Sequence, residues 1–434
     1  MHSDWNIFYE KAVTLGHDTT ALRDGEEITT YSRFPSMEEC RRLLSVATPQ
    51  QRVKRQENFF NPPVAARQRL GQGMHDRGEA AVFAAGVIPD GDLQGIGNHM
   101  PGRIKAISVL KKTVRAGEVW DVSVRGEYWG IDDLEELYVA VNVGELILEP
   151  GASIIIRGNV FSLSCEKMIC KAAAPYGAYH IGILPTPFSV DAKEGELDGK
   201  NGGNGWDGYD GRDGNPVQVS SAIIGYVLVD HVDPEKMNGT GGTSATDGHA
   251  GTDGRNGGMC KIAEITVYDL QGECTVFSQA GRGGDGGNGG NGGHGGHAGN
   301  GTPGYKLVNS VLPSGNGGNG GDGGNAGKGG NAGHGGVASN IYVSVPEEQE
   351  QQVTCVSWPS GGGHAGKAGE AGKGGNGGKG GNGFTKGTDG SNGKDGAAAR
   401  DGKEGRDRPA PWIFLNEKAV AGDGVSLLQQ KELR

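Results

Sequence analysis

The sequence predicts a mainly β and irregular fold: a bundle of about six polyglycine-II helices with β-hairpin connectors, preceded by a helical N-terminal region and a β-rich domain, β-helix-like or a sandwich. Three observations predict it. From Gly281 to Gly336 a Gly-Gly-Xaa triplet repeats with few errors, as in GRGGDGGNGGNGGHGGHAGNG. Glycine is unevenly spread, since only 18 of the 84 glycines precede Gly195. The segments between the glycine tracts are short apolar runs rich in β-branched residues.

A period of three belongs to a left-handed polyproline-II-type helix, with a rise of about 3.1 Å per residue and no internal hydrogen bonds. Built from glycine, such a helix projects its N–H and C=O groups sideways, where a neighbouring rod can pair with them. Ordering a glycine costs about 0.5–1 kcal/mol more than ordering an alanine. Lateral hydrogen bonds, at about 1 kcal/mol net each, are what can offset dozens of them. A disordered glycine-rich linker is the alternative, but glycine keeps its phase through Asn, Asp, His and Lys, which a spacer does not require.

Four regions follow: 1–98 helical, 99–195 β-rich, 196–406 glycine-rich with strand connectors, and 407–434 a C-terminal tail. In the first, Ser36 and Glu39 form a capping box before CRRLLSVA, Thr48-Pro49 with Gln51 starts another helix, and Pro62-Pro63 ends it. Seven Arg and Lys against one acid between Arg41 and Leu70 read as a solvated helix face, with docking of an anionic partner as the alternative. In the second, ELILEPGASIIIRGNVFSLSC carries β-branched runs separated by Pro150-Gly151 and Gly158-Asn159. Even spacing of short strands resembles a coil of a right-handed parallel β-helix, and a β-sandwich explains the same residues equally well.

Six tracts are resolved in the third region: Gly199–Gly214, Gly239–Gly257, Gly283–Gly301, Gly315–Gly336, Gly361–Gly383 and Gly387–Gly405. At about 3.1 Å per residue each is roughly 50 to 70 Å long. The connectors Val217 to Val232, Cys260 to Gln279 and Asn340 to Trp358 read as strand pairs, so rods joined by hairpins should run antiparallel. Gly-Gly-Xaa tracts have two bare faces and belong inside; Gly-Xaa-Yaa tracts such as GWDGYDGRDG have one and belong at an edge.

Chemistry is sparse. His294 and His297 share a face and, with Asp285 and His334, could ligate a metal, but solvent-facing decoration is the simpler account. Gly202 to Asp210 fits a calcium-binding nonapeptide, yet the period here is three rather than nine. Six scattered cysteines lack CxxC pairs and read as buried thiols in strands, with a bridge or metal at Cys165 and Cys170 as the alternative. Asp132-Asp133 and Glu135-Glu136 read as a polar turn, and no nucleophile elbow, P-loop or HExxH occurs. The expectation is therefore a protein that is not an enzyme, with no catalytic residue, metal or cofactor. The net charge of −11 argues against nucleic acid as a partner. No run reaches the about 18 apolar residues of a membrane span, and MHSDWNIFYEKAV does not read as a secretory signal.

With the tracts laid out, residues 199–405 resemble the glycine-triplet-repeat proteins that use polyglycine-II bundles, most closely the tip adhesins of T-even-type phage long tail fibres. Snow-flea antifreeze protein and the glycine-rich domains of mycobacterial PE-PGRS proteins are looser likenesses. The resemblance implies a non-enzymatic adhesion protein whose connector loops recognise a cell-surface glycan or protein, with the N-terminal part attaching it to a fibre, particle or sister subunit. It would act outside the cell or on a particle, without a classical signal peptide. Candidate contact residues are Trp206, Tyr209, Tyr305, Trp358 and Phe384. A secreted toxin or effector directed at membrane or host protein is the alternative, and a carbohydrate-active β-helix enzyme a weaker one.

Overall fold

A computed structural model describes residues 5–60, 83, 101–126, 137–187 and 195–422. Four helices are described: α1 (Asn6–Thr14), α2 (Thr19–Arg23), α3 (Met37–Leu44) and α4 (Pro49–Phe60). The first strand, β1 (Glu27–Phe34), lies among them and pairs antiparallel with β2 (Gly102–Val114). Ser36 caps α3 by accepting the Glu39 N–H at 3.4 Å. Thr48 and Gln51 bond reciprocally at the start of α4.

Beyond β2 the chain alternates between two sheets. β3 (Val119–Asp121), β5 (Ser153–Arg157) and β7 (Ile181–Leu184) enter one; β4 (Leu137–Leu148) and β6 (Val160–Cys170) enter the other. After the first glycine excursion, with its hairpin β8 (Val219–Ala222) and β9 (Gly225–Leu228), the alternation resumes. β10 (Ala263–Val267) and the short β11 (Leu270–Gln271) pair with β6, and β12 (Cys274–Gln279) joins β7. A second excursion, holding β13 (Tyr305–Lys306) and β14 (Val311–Leu312), precedes β15 (Ile341–Ser344) and β16 (Val353–Trp358). A third precedes β17 (Ile413–Leu415) and β18 (Lys418–Ala421). The larger sheet has nine strands along β1-β2-β4-β6-β10-β15-β17-β18, with β11 beside β6; the smaller runs β16-β12-β7-β5-β3. Pairing is parallel in both except at the flanking pairs β1–β2 and β17–β18.

The inner faces of the sheets meet in one core, where Val139, Val141, Leu163, Ile265 and Val343 oppose Ile154, Ile156, Ile181, Ile183 and Val276. On the outer face of the larger sheet Tyr138, Ala140, Val160, Ile262 and Tyr342 pack against Phe34, Cys40, Leu43 and Leu44. Strict alternation breaks at Gly144, where Val143 and Leu146 both reach the inner core. A Cβ there would stand 2.6 Å from the Leu110 carbonyl oxygen, so the strand can shift face only at glycine.

This topology corrects the expected fold class. The chain is a mixed α/β fold organised by a nine-stranded, mostly parallel sheet with few helices, not a bundle of polyglycine-II helices joined by β-hairpins. The cause is where apolar side chains can be buried: the inner core draws on residues from Ile107 to Ala421, whereas glycine has no side chain to contribute. Cys260 to Gln279 and Asn340 to Trp358 are accordingly not hairpins. The first gives β10 and β11 to the larger sheet and β12 to the smaller, the second gives β15 to the larger and β16 to the smaller, all parallel to their neighbours from earlier in the chain. Strands on both sides of Gly195 build the same two sheets. Pro62-Pro63, Asp132-Asp133 and Glu135-Glu136 lie outside the described residues.

The glycine tracts contain neither α-helix nor strand. They leave the sheets and return three times, and extended segments lie side by side with backbone hydrogen bonds at every third residue. The first tract donates to the third from Gly199, Gly202 and Gly205, and the third to the fifth from Gly283, Gly286 and Gly289. The second donates to the fourth and the fourth to the sixth in the same way. Bonds such as Gly287 N–H to Thr252 O and Gly318 N–H to Gly299 O tie these two layers together.

Candidate recognition surface

The far ends of the three excursions meet. Thr302 N–H donates to Met237 O at 2.9 Å and Phe384 N–H to Gly304 O at 3.1 Å, so residues 215–238, 302–314 and 384–386 form one tip. Buried Met237 anchors it from beneath. Tyr226 meets Tyr305 edge to face at 5.3 Å, and the Lys306 ammonium lies 5.5 Å from the Phe384 ring centre. Around these, Ile223, Ile224, Val227, Val229 and Val311 stand exposed on the two hairpins. These exposed aliphatic side chains, on a support fixed by backbone bonds, make the tip an apolar patch.

Of the five candidate residues, the structure brings Tyr305 and Phe384 together at this tip. Trp206 and Tyr209 lie on the outer side of the first tract, 81% and 82% exposed. Trp358 lies at the opposite end, where β16 leads into the fifth tract, with its ring edge to face with Phe277 at 5.1 Å. Phe277 in turn stacks on Tyr179 at 5.2 Å. Trp358 thus belongs to a small aromatic cluster on the outside of the smaller sheet and is separate from the tip.

The polar residues of the triplets have a role that the sequence reading missed. Asn201, Asn204, Asp207, Asp210 and Asp213 each accept, through Oδ1, the backbone N–H of Asn288, Asn291, His294, His297 and Asn300 in turn, at 2.6–2.9 Å. The third tract repeats this toward the fifth, with His294 and His297 accepting through Nδ1 from Lys373 and Asn376 at 3.0 and 2.9 Å. His334 does the same for Arg406 at 3.0 Å. His294 and His297 are exposed, as expected, and are at the same time acceptors in a ladder; His334 is half-buried. The available signal was the choice of Asn, Asp and His for one triplet position, three side chains that can each accept a hydrogen bond close to the backbone. The Asp285 carboxyl is held below its ordinary range chiefly by the His364 N–H it accepts. In the nonapeptide at Gly202 to Asp210 both carboxylates, Asp207 and Asp210, are bound to neighbouring N–H groups in the same manner.

Among the described residues Cys170, His180 and Cys274 bring three potential metal-ligand atoms within 4.8 Å, all buried. The imidazole is already engaged on both sides: Nδ1 accepts the Thr275 N–H at 3.0 Å and Nε2 faces the Ala172 carbonyl at 2.9 Å. Burial holds its pKa below the usual histidine value. The Cys274 thiol is pushed well up by its hydrogen bond to Cys170 and by burial. These residues fit a neutral, internally bonded core cluster better than an open ligand set. Buried Arg55 is held by Glu264 and, at 2.9 Å, by Glu417, with its guanidinium 4.5 Å from the Tyr342 ring centre; this network joins α4 to β10 and to the β17–β18 turn. Compared with family models, with curated proteins and with solved structures, the chain finds no match in any of the three.

Proposed function

We propose that this protein is a non-enzymatic recognition protein that holds an apolar tip away from its folded core and uses it to engage a cell-surface glycan or protein. The observation that carries this is the tip itself: Ile223 and Ile224 project from a hairpin that is pinned to its neighbours by backbone bonds, beside Tyr226, Tyr305 and Phe384. The sheet-and-helix end is the part available for attachment to a fibre, particle or sister subunit, and the protein works outside the cell or on such a particle. The likeness of the triplets to fibre-tip adhesins points the same way. The test is binding of labelled full-length protein to a panel of bacterial and animal cells. Saturable binding is expected, falling about tenfold or more in an Ile223→Asp/Ile224→Asp variant whose thermal unfolding is unchanged. Leakage of liposomes by the wild-type protein, or no saturable binding to any cell, would overturn the reading.

A further inference from the structure

The first tract has a free outer side. Its neighbours are the second and third tracts, and its residues fall into three rows. The glycines Gly199, Gly202, Gly205, Gly208, Gly211 and Gly214 face backbone of other tracts so closely that a Cβ would overlap it. The second row is the Asn and Asp ladder toward the third tract. The third row is Lys200, Gly203, Trp206, Tyr209 and Arg212. Here the N–H groups of Trp206 and Tyr209 are gripped by the Thr246 and Thr243 hydroxyls at 2.6 and 2.7 Å, while their carbonyls accept from the same threonines' N–H groups.

The backbone under these two aromatics is thus fixed, yet their rings are 81% and 82% exposed. They lie one triplet apart, about 9 Å along the tract at about 3.1 Å per residue. Alongside runs a parallel row of exposed hydrogen-bonding groups, Asn204, Asp207 and Asp210, of which only one side-chain oxygen each is bound to protein. Beside Trp206 the row is completed by Gly203, where a Cβ would meet only the His249 ring, at an ordinary contact distance of 3.7 Å.

A straight line of aromatic faces flanked by donors and acceptors matches one kind of ligand. In an extended β-1,4-linked polysaccharide, ring faces are apolar and ring edges carry hydroxyls. Its disaccharide repeat is close to the spacing of the two aromatics. Asp207, Asp210 and Asp213 outnumber the cations Lys200 and Arg212 at the ends of the aromatic row, and they flank the two rings, so uronates and phosphates are disfavoured there against a neutral chain. We infer that the outer side of the first tract is a binding platform for an extended, neutral β-1,4-linked polysaccharide, with Trp206 and Tyr209 stacking on alternate rings. This names a ligand class for the recognition reading and rests on it, but uses a surface other than the tip.

The test is depletion of the full-length protein by microcrystalline cellulose and by chitin, with pectate as the acidic control, together with tryptophan fluorescence on adding cellohexaose or chitohexaose. Wild-type protein is expected to bind at least one neutral polymer and not pectate. Trp206→Ala and Tyr209→Ala should each weaken binding about tenfold, the double variant should abolish it, and the Ile223→Asp/Ile224→Asp variant should bind as wild type. No depletion by either neutral polymer, equal binding to pectate, or undiminished binding by the double variant would overturn the platform. Cell binding that depends on Ile223 and Ile224 without any polysaccharide binding would leave the recognition reading standing and remove the platform alone.

Discussion

Single glycines in the tracts are required for space. A Cβ on Gly290 would overlap the carbonyl oxygen of Gly203 on the first tract, and backbone cannot yield there without breaking the bonds on either side. Gly290→Ala is expected to destabilise the protein by about 3 kcal/mol, the upper end of ordinary overpacking, measured by chemical denaturation. The same change at Gly203, where a Cβ would make only an ordinary contact of 3.7 Å with the His249 ring, should cost about 1 kcal/mol or less; equal losses at both positions would refute the space argument. The periodic glycines were plain in the sequence because a triplet repeat is a local pattern. The Asn, Asp and His acceptors were equally visible as letters, but their role was not, since it depends on which tract lies alongside.

At the scale of the element, the ladder also bears on how lateral growth is discouraged. The row that carries acceptors on the third tract, from Asp285 to Asn300, carries His364, Lys367, Glu370, Lys373, Asn376 and Lys379 on the fifth. Lysine donates and cannot accept, so a further segment finds its acceptors interrupted at every second position, a device akin to lysines on the edge strands of sheets. The next row of the fifth tract is closed too, because Asp401, Asp395 and Asp389 of the sixth accept the N–H groups of Ala368, Gly374 and Gly380. Replacing Lys367, Lys373 and Lys379 together by Asn is expected to promote self-association, read by sedimentation; a variant as monodisperse as wild type at equal concentration would count against it. Helix starts at Ser36 and Thr48, and turns at Pro150-Gly151 and Gly158-Asn159, could be read from sequence because caps and turns are made by neighbours. The pairing of β10 with β6 and β15 could not, because each partner lies across a glycine excursion. Two apolar runs around a turn read the same whether they form a hairpin or enter two different sheets.

For the whole molecule, the Arg55 network ties an N-terminal helix to strands reached only after the excursions. Arg55→Ala would leave Glu264 and Glu417 buried without their cation, a loss of about 3–5 kcal/mol. The expected result is a lower unfolding midpoint with tip-dependent cell binding retained at low temperature. An unchanged midpoint would show that the network is dispensable. The separation of apolar core, glycine block and exposed tip also explains the uneven legibility of the chain. Composition announced the block and its loops, whereas the sheets that organise everything depend on contacts distant in sequence.

The ladder bears, finally, on chemical ageing. Asparagine followed by glycine is the pairing most prone to deamidation in a loose chain, because the glycine nitrogen can close on the side-chain amide. Here the nitrogens of Gly289, Gly292 and Gly317 are committed to the carbonyls of Lys367, Glu370 and Thr388, and the amide oxygens of Asn288, Asn291 and Asn316 accept bonds of their own. Ring closure would have to break both, so incubation followed by peptide mapping should find these sites intact in the folded protein and converted after unfolding; equal conversion in the two states would contradict this. Where conversion does occur, opening of the cyclic imide gives aspartate and isoaspartate; aspartate already serves as the acceptor at 207, 210 and 213, whereas isoaspartate lengthens the backbone by one methylene and would throw the tract out of its triplet phase.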